Sequence, residues 1–348
     1  MPAGPDSIDP ILETLAKGNT LSVGECAFAI EELLSGRLSH EQVLSFLKNL
    51  AARQVSIDEL VGAAGVMRRH ASQVPVPSAL QPQIIDTCGT GGAPKLFNVS
   101  TIAAIVAAGA GAKVVKHGNR SRTGRGSAEI LAALGVNIEA SPRVQAHCLE
   151  HAGLCFCFAI QHHPAARHAA AARRELGTPT IFNLLGPLTN PGRAERQLLG
   201  VAKAEQLELV AGALARLGCV RAMVVHSLEG FDELSTTGEN IVAQVDPRGV
   251  RTERIDPRAF GLARVSASEL QVESLEDAAG TVRTVLRGDA GPKTDIVLLN
   301  AAAALVVADL AREISDGLRL ARESIYGGKA MAALEALKQV SWQSESSG

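Results

Sequence analysis

The run at residues 86–92, Asp-Thr-Cys-Gly-Thr-Gly-Gly, has the composition of a phosphate-binding turn. It follows the apolar pair Ile84-Ile85, and the segment 98–101, Asn-Val-Ser-Thr, then opens an apolar helix. Glycines let backbone N–H groups approach an anion closely, and a helix start adds unpaired donors and a favourable dipole. Ser100 and Thr101 can cap that helix or donate their hydroxyls to the anion. The pattern matches neither the Walker sequence nor the dinucleotide fingerprint, so a ligand-free structural turn is the alternative.

A basic segment, Lys116-His117-Gly118-Asn119-Arg120-Ser121, follows the next predicted strand. Ligands of open parallel sheets collect beyond the carboxyl ends of the strands, which is where this segment lies. Lys116 and Arg120 can neutralise phosphate charge, and Asn119 can both donate and accept hydrogen bonds. The loop 125–129, Arg-Gly-Ser-Ala-Glu, repeats the combination of glycine and hydroxyl at a helix start. Together the two loops favour an anion site over a solvated basic loop.

Residues 173–191 are predicted to form a rigid, shaped wall. The segment contains glycines and prolines that prevent a long helix or a central strand. An arginine beside such a wall, as at Arg173, can hold a planar carboxylate through two parallel hydrogen bonds. Taken alone, the segment would equally fit a purely structural role.

The acidic pair Asp232-Glu233 lies just past the strand predicted at residues 222–226. Neighbouring carboxylates at the carboxyl edge of a sheet suit Mg²⁺, which prefers a few hard oxygen ligands together with substrate phosphate oxygens. Acidic dipeptides are also common in solvated loops, and that is the simpler interpretation when the pair is taken alone.

The first part of the chain, residues 1–76, is predicted to be a small helical domain. From residue 8 to about residue 70, apolar residues recur at spacings of three and four. Ser22, Ser39 and Ser56 each precede a Glu or Gln by three residues, which is the spacing of a capping box. Prolines at positions 75, 77 and 82 cannot continue a helix, so they mark the linker to the next domain.

Residues 77–340 are predicted to form an α/β domain with a mostly parallel central sheet flanked by helices, because strand and helix patterns alternate there. The strand candidates are residues 84–86, 112–116, 153–160, 222–226, 241–245 and 295–299. The helix candidates are residues 100–109, 128–134, 142–151, 204–217 and 275–286. Residues 341–348 are predicted to be a frayed tail.

Composition narrows the range of partners. The formal net charge of -2 gives no electrostatic reason to expect a nucleic acid or an anionic membrane, and the aromatic share of 3% argues against a base-stacking platform. The opening residues lack the order of a secretory signal and the longest apolar runs are too short to span a bilayer, so we expect a cytoplasmic protein. The six cysteines include no Cys-x-x-Cys pair, which predicts reduced thiols that act as small hydrophobic residues.

In this order, the four segments resemble the motifs of the anthranilate phosphoribosyltransferase family over nearly the whole chain. The resemblance is carried by Gly-Thr-Gly-Gly at 89–92, Asn-Val-Ser-Thr at 98–101, Lys-His-Gly-Asn-Arg at 116–120, Gly-Ser-Ala-Glu at 126–129, the block 173–191 and Asp232-Glu233. It implies a fold like that of the nucleoside phosphorylases and class-IV phosphoribosyltransferases, in which residues from about 165–190 contribute to the small helical domain. It also implies transfer of a phosphoribosyl group from phosphoribosyl pyrophosphate (PRPP) to the amino nitrogen of anthranilate, a step of tryptophan biosynthesis. The cofactor would be Mg²⁺, and the protein would be a homodimer joined through the helical domain.

The resemblance also implies a role for individual residues. The residues that bind PRPP would be Gly89, Thr90, Gly91, Gly92, Asn98, Ser100, Thr101, Lys116 and Ser127. The residues that bind anthranilate or line its entry path would be Gly89, Asn119, Arg173, His117, His163 and Pro187. The ligands of Mg²⁺ would be Ser100, Asp232 and Glu233. No residue is assigned as a general acid or base, because the aryl amine is already neutral at physiological pH.

The chain departs from the family pattern at two loops. Ala93 stands where family members usually have Asp, and both that loop and the loop containing residues 122–125 look one residue shorter. Three alternatives stay open: a phosphoribosyltransferase with another aromatic acceptor, a pyrimidine nucleoside phosphorylase-like enzyme, and a non-catalytic nucleic-acid-binding relative. The segment 116–120 and the acidic pair argue against the phosphorylase, since phosphorolysis needs no metal–pyrophosphate site. The acidic pair and the negative net charge argue against the nucleic-acid-binding relative.

Overall fold

A bundle of four helices forms the first part of the computed structural model, which describes residues 7–94, 96–121 and 123–343. The helices are α1 (Asp9–Ala16), α2 (Val23–Leu34), α3 (His40–Ala51) and α4 (Ile57–His70). The side chains of Ser22, Ser39 and Ser56 each accept a hydrogen bond from the backbone three residues on, and the Glu or Gln there caps the serine in return. The three predicted capping boxes are confirmed.

A seven-stranded sheet forms the centre of the remaining described residues. Its strands are β1 (Ile84–Gly89), β2 (Lys113–Gly118), β3 (Leu154–Phe158), β4 (Arg196–Gly200), β5 (Arg221–Ser227), β6 (Asn240–Asp246) and β7 (Gly249–Ile255). They lie in the order β3-β2-β1-β4-β5-β6-β7, with β1 to β5 parallel and with β6 and β7 added in antiparallel pairs. The prediction of a mostly parallel sheet is confirmed, and the carboxyl ends of five strands meet at one edge.

Eleven further helices surround this sheet in the described part of the chain. They are α5 (Val99–Gly109), α6 (Ser127–Ala133), α7 (Pro142–Ala152), α8 (Ala159–His162), α9 (Arg167–Leu176), α10 (Ile181–Leu185), α11 (Gln206–Arg216), α12 (Leu275–Arg287), α13 (Pro292–Val307), α14 (Ile314–Tyr326) and α15 (Lys329–Ser341).

Alternate strand residues face two separate hydrophobic cores, one on each side of the sheet. Leu198 and Met223 belong to the first core, whereas Leu199 and Val224 belong to the second. The first core is closed by α5, α6, α7 and α12 to α15. The second is closed by α11 and the N-terminal bundle, to which α9 and α10 also contribute buried residues. The sheet is thus covered by helices on both sides, and its carboxyl edge is left to the loops.

Some of the sequence-based assignments were wrong or missed an element. Residues 295–299 were predicted to be a strand but lie inside α13, because that helix is buried all round and shows no alternation of polar and apolar residues. The prediction omitted β4, a short run after a Gly-Pro segment, and β7, an edge strand with exposed side chains. The strand predicted at 153–160 ends at Phe158, and α8 begins directly after it.

The predicted tail begins later than expected. Ser341 is the last residue of α15, and Trp342 donates from Nε1 to the backbone oxygen of Gly135 at 2.9 Å. Residues 344–348 lie outside the described residues.

The six cysteines are free thiols, as predicted, and four of them are buried. In the part of the chain that the structure describes, no single helix is long and apolar enough to cross a bilayer. One pair, α12 and α13, meets that test of length and composition only when both helices are counted together across a bend of 72°.

Candidate active site

The glycine turn after β1 is tied to the end of β4. Thr90 donates its backbone N–H to Gly200 O at 2.9 Å, and Thr90 Oγ1 accepts from the backbone of Ala202 at 3.2 Å. Gly91 and Gly92 have φ values of 67° and 96°, in the left-handed region that residues with a side chain rarely adopt. Because the N–H of Thr90 is used at the edge of the sheet, the backbone donors that the turn can offer to an anion come after Thr90.

The acidic pair reaches this turn because two glycines leave it room. A side chain at Gly89 would place its Cβ 3.0 Å from Asp232 Oδ2, and one at Gly200 would place it 1.6 Å from the backbone oxygen of Asp232. Gly89 and Gly200 end neighbouring strands and are register partners. The loop that carries Asp232 and Glu233 therefore lies across the ends of β1 and β4. The predicted convergence of residues 89–92 with residues 232–233 is present.

A buried asparagine of α13 holds the acidic loop from behind. Asn300 Oδ1 accepts from Leu234 N at 3.1 Å, and Asn300 Nδ2 donates to Leu234 O at 2.7 Å. Nδ2 also donates to Ile296 O at 2.8 Å, within its own helix. The sequence gives no sign of this clamp, because Asn300 and Leu234 are 66 residues apart and no local motif connects them.

A cavity of about 120 Å³ lies between the glycine turn, the start of α5 and the acidic pair. The predicted site residues in its lining are Gly91, Gly92, Asn98, Ser100, Asp232 and Glu233. Ala93 is also in the lining and offers no oxygen ligand, so the carboxylates of the described lining are those of Asp232 and Glu233. Arg125 adds a cation and donates to the backbone oxygen of Val272. This combination of carboxylates, a hydroxyl, a cation and glycine N–H groups suits a metal-bound diphosphate.

Several residues predicted to bind PRPP are outside the lining of this cavity. Gly89 and Thr90 precede the lining glycines, and the hydroxyl of Thr101 is buried with no hydrogen-bond partner among the described residues. Ser127 begins α6, and its Oγ donates to the backbone oxygen of Asn119 at 3.4 Å. The structure therefore brings six of the predicted site residues together in one lining and leaves Gly89, Thr90, Thr101 and Ser127 outside it.

Lys116 is buried behind the cavity. Its Nζ donates to Thr87 O at 2.6 Å and to Ser100 Oγ at 3.4 Å, which joins β1 to the start of α5. Burial lowers the pKa of Lys116, and the nearby carboxyl of Asp86 opposes that shift. Burial also raises the pKa of Asp86, which accepts from the backbone N–H of His117 at 3.2 Å. Sequence analysis did not single out Asp86 as a site residue, since only the tertiary contact shows that it faces Lys116.

Two histidines of the predicted acceptor side lie against each other. His117 Nδ1 is 3.1 Å from the backbone oxygen of Gly186, and the ring centroids of His117 and His163 are 5.1 Å apart. Both Nε2 atoms are buried without a hydrogen-bond partner in the described residues. Burial lowers the pKa of His117 to about 3 and that of His163 to about 4, so both imidazoles are neutral at physiological pH.

The wall of residues 173–191 folds as α9, α10 and a short 3-10 turn at 186–188. The guanidinium carbon of Arg173 lies 5.1 Å from the centroid of the Phe182 ring, a cation–π distance that orients it along the wall. Gln197 Nε2 donates to Pro187 O at 2.7 Å and ties the turn to β4. Asn119 is exposed just beyond β2, where its Oδ1 accepts from the backbone of Arg120 at 2.8 Å.

A larger cavity of about 720 Å³ lies at the opposite edge of the sheet, where β4 and β5 begin. Its lining includes the ion pairs of Arg221 with Asp309, and of Arg251 with Asp246 at 2.8 Å. Neither the glycine turn nor the acidic loop reaches it. The smaller cavity is therefore the candidate active site.

Comparisons with known proteins agree with this geometry. Residues 9–71 match the helical bundle domain of the glycosyl transferase family, and residues 81–331 match its a/b domain. An anthranilate phosphoribosyltransferase from Rubrobacter xylanophilus is 46% identical over 333 residues, covering 95% of this chain and 96% of the relative. The anthranilate phosphoribosyltransferase from Thermomicrobium roseum is 44% identical over 339 residues, covering 96% of this chain and 97% of the relative. This chain belongs to the anthranilate phosphoribosyltransferase family.

Solved structures of anthranilate phosphoribosyltransferases have the same fold. The enzyme from Thermus thermophilus superposes with a TM-score of 0.89 at 39% identity, covering 95% of this chain and 99% of that one. The Saccharomyces cerevisiae enzyme in complex with PRPP and Mg superposes with a TM-score of 0.85 at 28% identity. The superposition covers 95% of this chain and 96% of that one. Of the two departures from the family pattern, Ala93 lies in the cavity lining, whereas Arg122 of the second loop lies outside the described residues.

Proposed function

We propose that this chain transfers the phosphoribosyl group of PRPP to the amino nitrogen of anthranilate and releases pyrophosphate. The observation that carries the proposal is the contact of the glycine turn with the acidic loop at the carboxyl edge of the sheet, where Asp232 lies against Gly89. Membership in the anthranilate phosphoribosyltransferase family supports it independently.

The diphosphate end of PRPP is assigned to the cavity of 120 Å³. The N–H groups after Thr90 and the side chains of Asn98 and Ser100 would face the phosphate oxygens. Lys116 would orient the hydroxyl of Ser100, because its Nζ donates a hydrogen bond to Ser100 Oγ at 3.4 Å. The ribose and its phosphate would extend toward Ser127, which begins α6.

Mg²⁺ fits this cavity through its oxygen donors. Asp232, Glu233 and the hydroxyl of Ser100 line the same space, and hard oxygen ligands are those that Mg²⁺ prefers. When bound, the ion neutralises charge on the pyrophosphate that leaves. Asp232 and Glu233 would hold it, and the clamp of Asn300 on Leu234 keeps their loop against the strand ends.

Anthranilate is assigned to the wall of residues 173–191. Arg173 suits its carboxylate, and Asn119 and Gly89 would contact anthranilate as well. His117, His163 and Pro187 would line the entry path, and the two neutral imidazoles leave Arg173 as the cation that meets the carboxylate there.

The reaction breaks the bond between C1 of the ribose and pyrophosphate and forms a bond from C1 to the amine nitrogen. Catalysis would come from alignment of the two substrates and from stabilisation of charge on the leaving group. The amine attacks in its neutral form and, after the new bond has formed, releases its proton to the departing pyrophosphate or to water, so no residue of this chain is assigned as a base.

The decisive test mixes the protein with Mg²⁺, PRPP and anthranilate and follows the loss of anthranilate fluorescence. We expect a loss that requires all three additions. Glu233→Gln should raise the Mg²⁺ concentration needed for half-maximal rate by about tenfold, because one charged ligand is lost. Glu239→Gln is the matched control, since Glu239 pairs with Arg254 on the surface at 3.2 Å and is outside the cavity lining.

Further assays distinguish the alternatives. A faster reaction with another aromatic amine would assign a different acceptor, and phosphate-dependent release of a base from thymidine or uridine would indicate a phosphorylase. Retention of single-stranded DNA on a filter would favour the nucleic-acid-binding relative. The homodimer joined through the helical bundle and the cytoplasmic location stay predictions, and light scattering should give about twice the chain mass of 36.2 kDa.

A further inference from the structure

A cluster of two histidines and a glutamate lies on α7, away from the site described above. His147, Glu150 and His151 are separated by three and four residues, so their side chains share one face of the helix. One nitrogen of each imidazole and one carboxylate oxygen of Glu150 all lie within 4.8 Å of one another. Within the described ranges of the chain, this is the one group of three such side chains that meets this distance.

The two imidazoles lie next to each other on consecutive turns of the helix. Their ring centroids are 3.9 Å apart. His151 Nδ1 lies 3.0 Å from the backbone oxygen of His147, so its N–H donates to the helix and the lone pair is left on Nε2. A backbone carbonyl that accepts from the non-ligating nitrogen is the arrangement that fixes the tautomer of metal-bound histidines.

The side chains can close onto an ion without movement of the backbone. His147 Nδ1 is 3.8 Å from Glu150 Oε2, and both side chains are 44% exposed. Ligand atoms around a tetrahedral zinc ion lie about 3.3 Å apart when its bonds are about 2.0 Å long. Rotation of exposed side chains covers this difference. The cluster also lies in the last turns of α7, where the helix dipole favours a positive charge.

We propose that His147, Glu150 and His151 form a binding site for a transition-metal ion of the zinc class. Two imidazoles and one carboxylate suit Zn²⁺, Ni²⁺ or Cu²⁺, whereas Mg²⁺ takes oxygen ligands. Helix α7 leads through Gly153 into the start of β3, so the site lies at the edge of the sheet opposite to the glycine turn. It is separate from the proposed transferase site, and a bound ion would link two turns of α7 and stabilise the folded chain.

Titration calorimetry of metal-free protein with zinc chloride tests the site. With excess Mg²⁺ present to occupy the cavity of Asp232 and Glu233, we expect one zinc ion bound per chain, with the affinity lowered by about tenfold or more in His147→Gln and in His151→Gln, and less in Glu150→Gln. Added Mg²⁺ should not compete. His40→Gln and His70→Gln are matched controls, because each removes an imidazole that pairs with a single carboxylate at 2.7 Å.

Thermal unfolding gives a second measurement. With excess Mg²⁺ present throughout, saturating zinc should raise the Tm of the wild-type chain and should leave that of the variant with both substitutions, His147→Gln and His151→Gln, unchanged. Without zinc, both chains should unfold at the same temperature and have the same transferase activity, which shows that the variant folds. The proposal is overturned if this variant binds zinc as tightly as the wild type, or if the wild type binds none.

Discussion

Arg173 is the single residue that best tests the acceptor side of the site. It lies near the end of α9, and its guanidinium packs beside the Phe182 ring of the wall. Arg173→Ala should raise the KM for anthranilate by about 10- to 100-fold, because a hydrogen bond to a charged group contributes about 1.5–3 kcal/mol. The KM for PRPP should change by less than about twofold, since the diphosphate cavity is lined by other residues. Initial rates from anthranilate fluorescence measure both constants.

Arg174→Ala is the control for this experiment. Arg174 is the next residue of α9 and is exposed, so its removal takes away the same charge without touching the wall. A general loss of attraction for anionic substrates would affect both variants alike. Equal increases in the KM of the two substrates for Arg173→Ala would contradict the assigned role.

Local residue patterns in the sequence predicted only part of the candidate site. The glycine turn and the acidic pair were identifiable because their chemistry is local, and the structure places them against each other. Asp86 and Asn300 were missed, because their importance comes from contacts with Lys116 and Leu234 that are distant in sequence. No pattern of spacing along the chain contains that information.

At the scale of elements, the close approach of β4 to the acidic loop depends on Gly200. A Cβ at this position would lie 1.6 Å from the backbone oxygen of Asp232, so Gly200→Ala must displace the loop. A displacement of this size should lower kcat/KM by about 10- to 100-fold and raise the requirement for Mg²⁺. Circular dichroism and the fluorescence assay measure folding and activity in the same preparation.

Gly280→Ala separates this effect from a general cost of replacing glycine. Gly280 lies inside α12, and a methyl group added there would have no neighbouring atom within 4 Å. Alanine there should leave the activity unchanged and raise the free energy of unfolding by about 0.5–1 kcal/mol. A folded Gly200→Ala enzyme with wild-type kcat/KM and wild-type Mg²⁺ dependence would show that the loop is not held by this contact.

The elements that the sequence predicted are those with a clear periodicity or a cap. Helices α2 to α4 have both, and α5 begins at Val99, directly before a recognisable Ser-Thr pair. By contrast, β4 is short, β7 is an exposed edge strand, and α13 is apolar on every face. A buried helix and a buried strand share the same uninterrupted apolar composition, which is why residues 295–299 were assigned to the wrong class.

At the scale of the whole molecule, the wall of residues 173–191 is attached to both the helical bundle and the α/β domain. Arg68 of α4 donates to Leu188 O at 2.8 Å, and Val74 of the linker donates to Pro191 O at 3.2 Å. The backbone of Ser72 donates to His162 O at 2.8 Å. Histidines 117, 162 and 163 are thus buried close to the junction of the two domains.

These buried imidazoles make the stability of the whole chain depend on pH. Burial lowers the pKa of His117 to about 3, that of His163 to about 4, and that of His162 as well. In an unfolded chain the pKa of histidine is about 6.5, so below that pH the unfolded chain binds more protons than the folded one. The free energy of unfolding should therefore fall as the pH decreases below about 6.5. At pH 5 the loss should be about 2 kcal/mol for His117 and about the same for His163.

Urea denaturation at pH 7, 6 and 5 measures this loss of stability. The variant His163→Gln measures how much of the loss comes from His163. Glutamine does not titrate, so the variant should lose about 2 kcal/mol less than the wild type between pH 7 and pH 5. His40→Gln is the control, because His40 is exposed and paired with Glu175 at 2.7 Å, outside the junction. A loss in His163→Gln equal to that of the wild type would mean that His163 takes up its proton without unfolding. The junction would then be open to water, and the neutral wall proposed for anthranilate would be wrong.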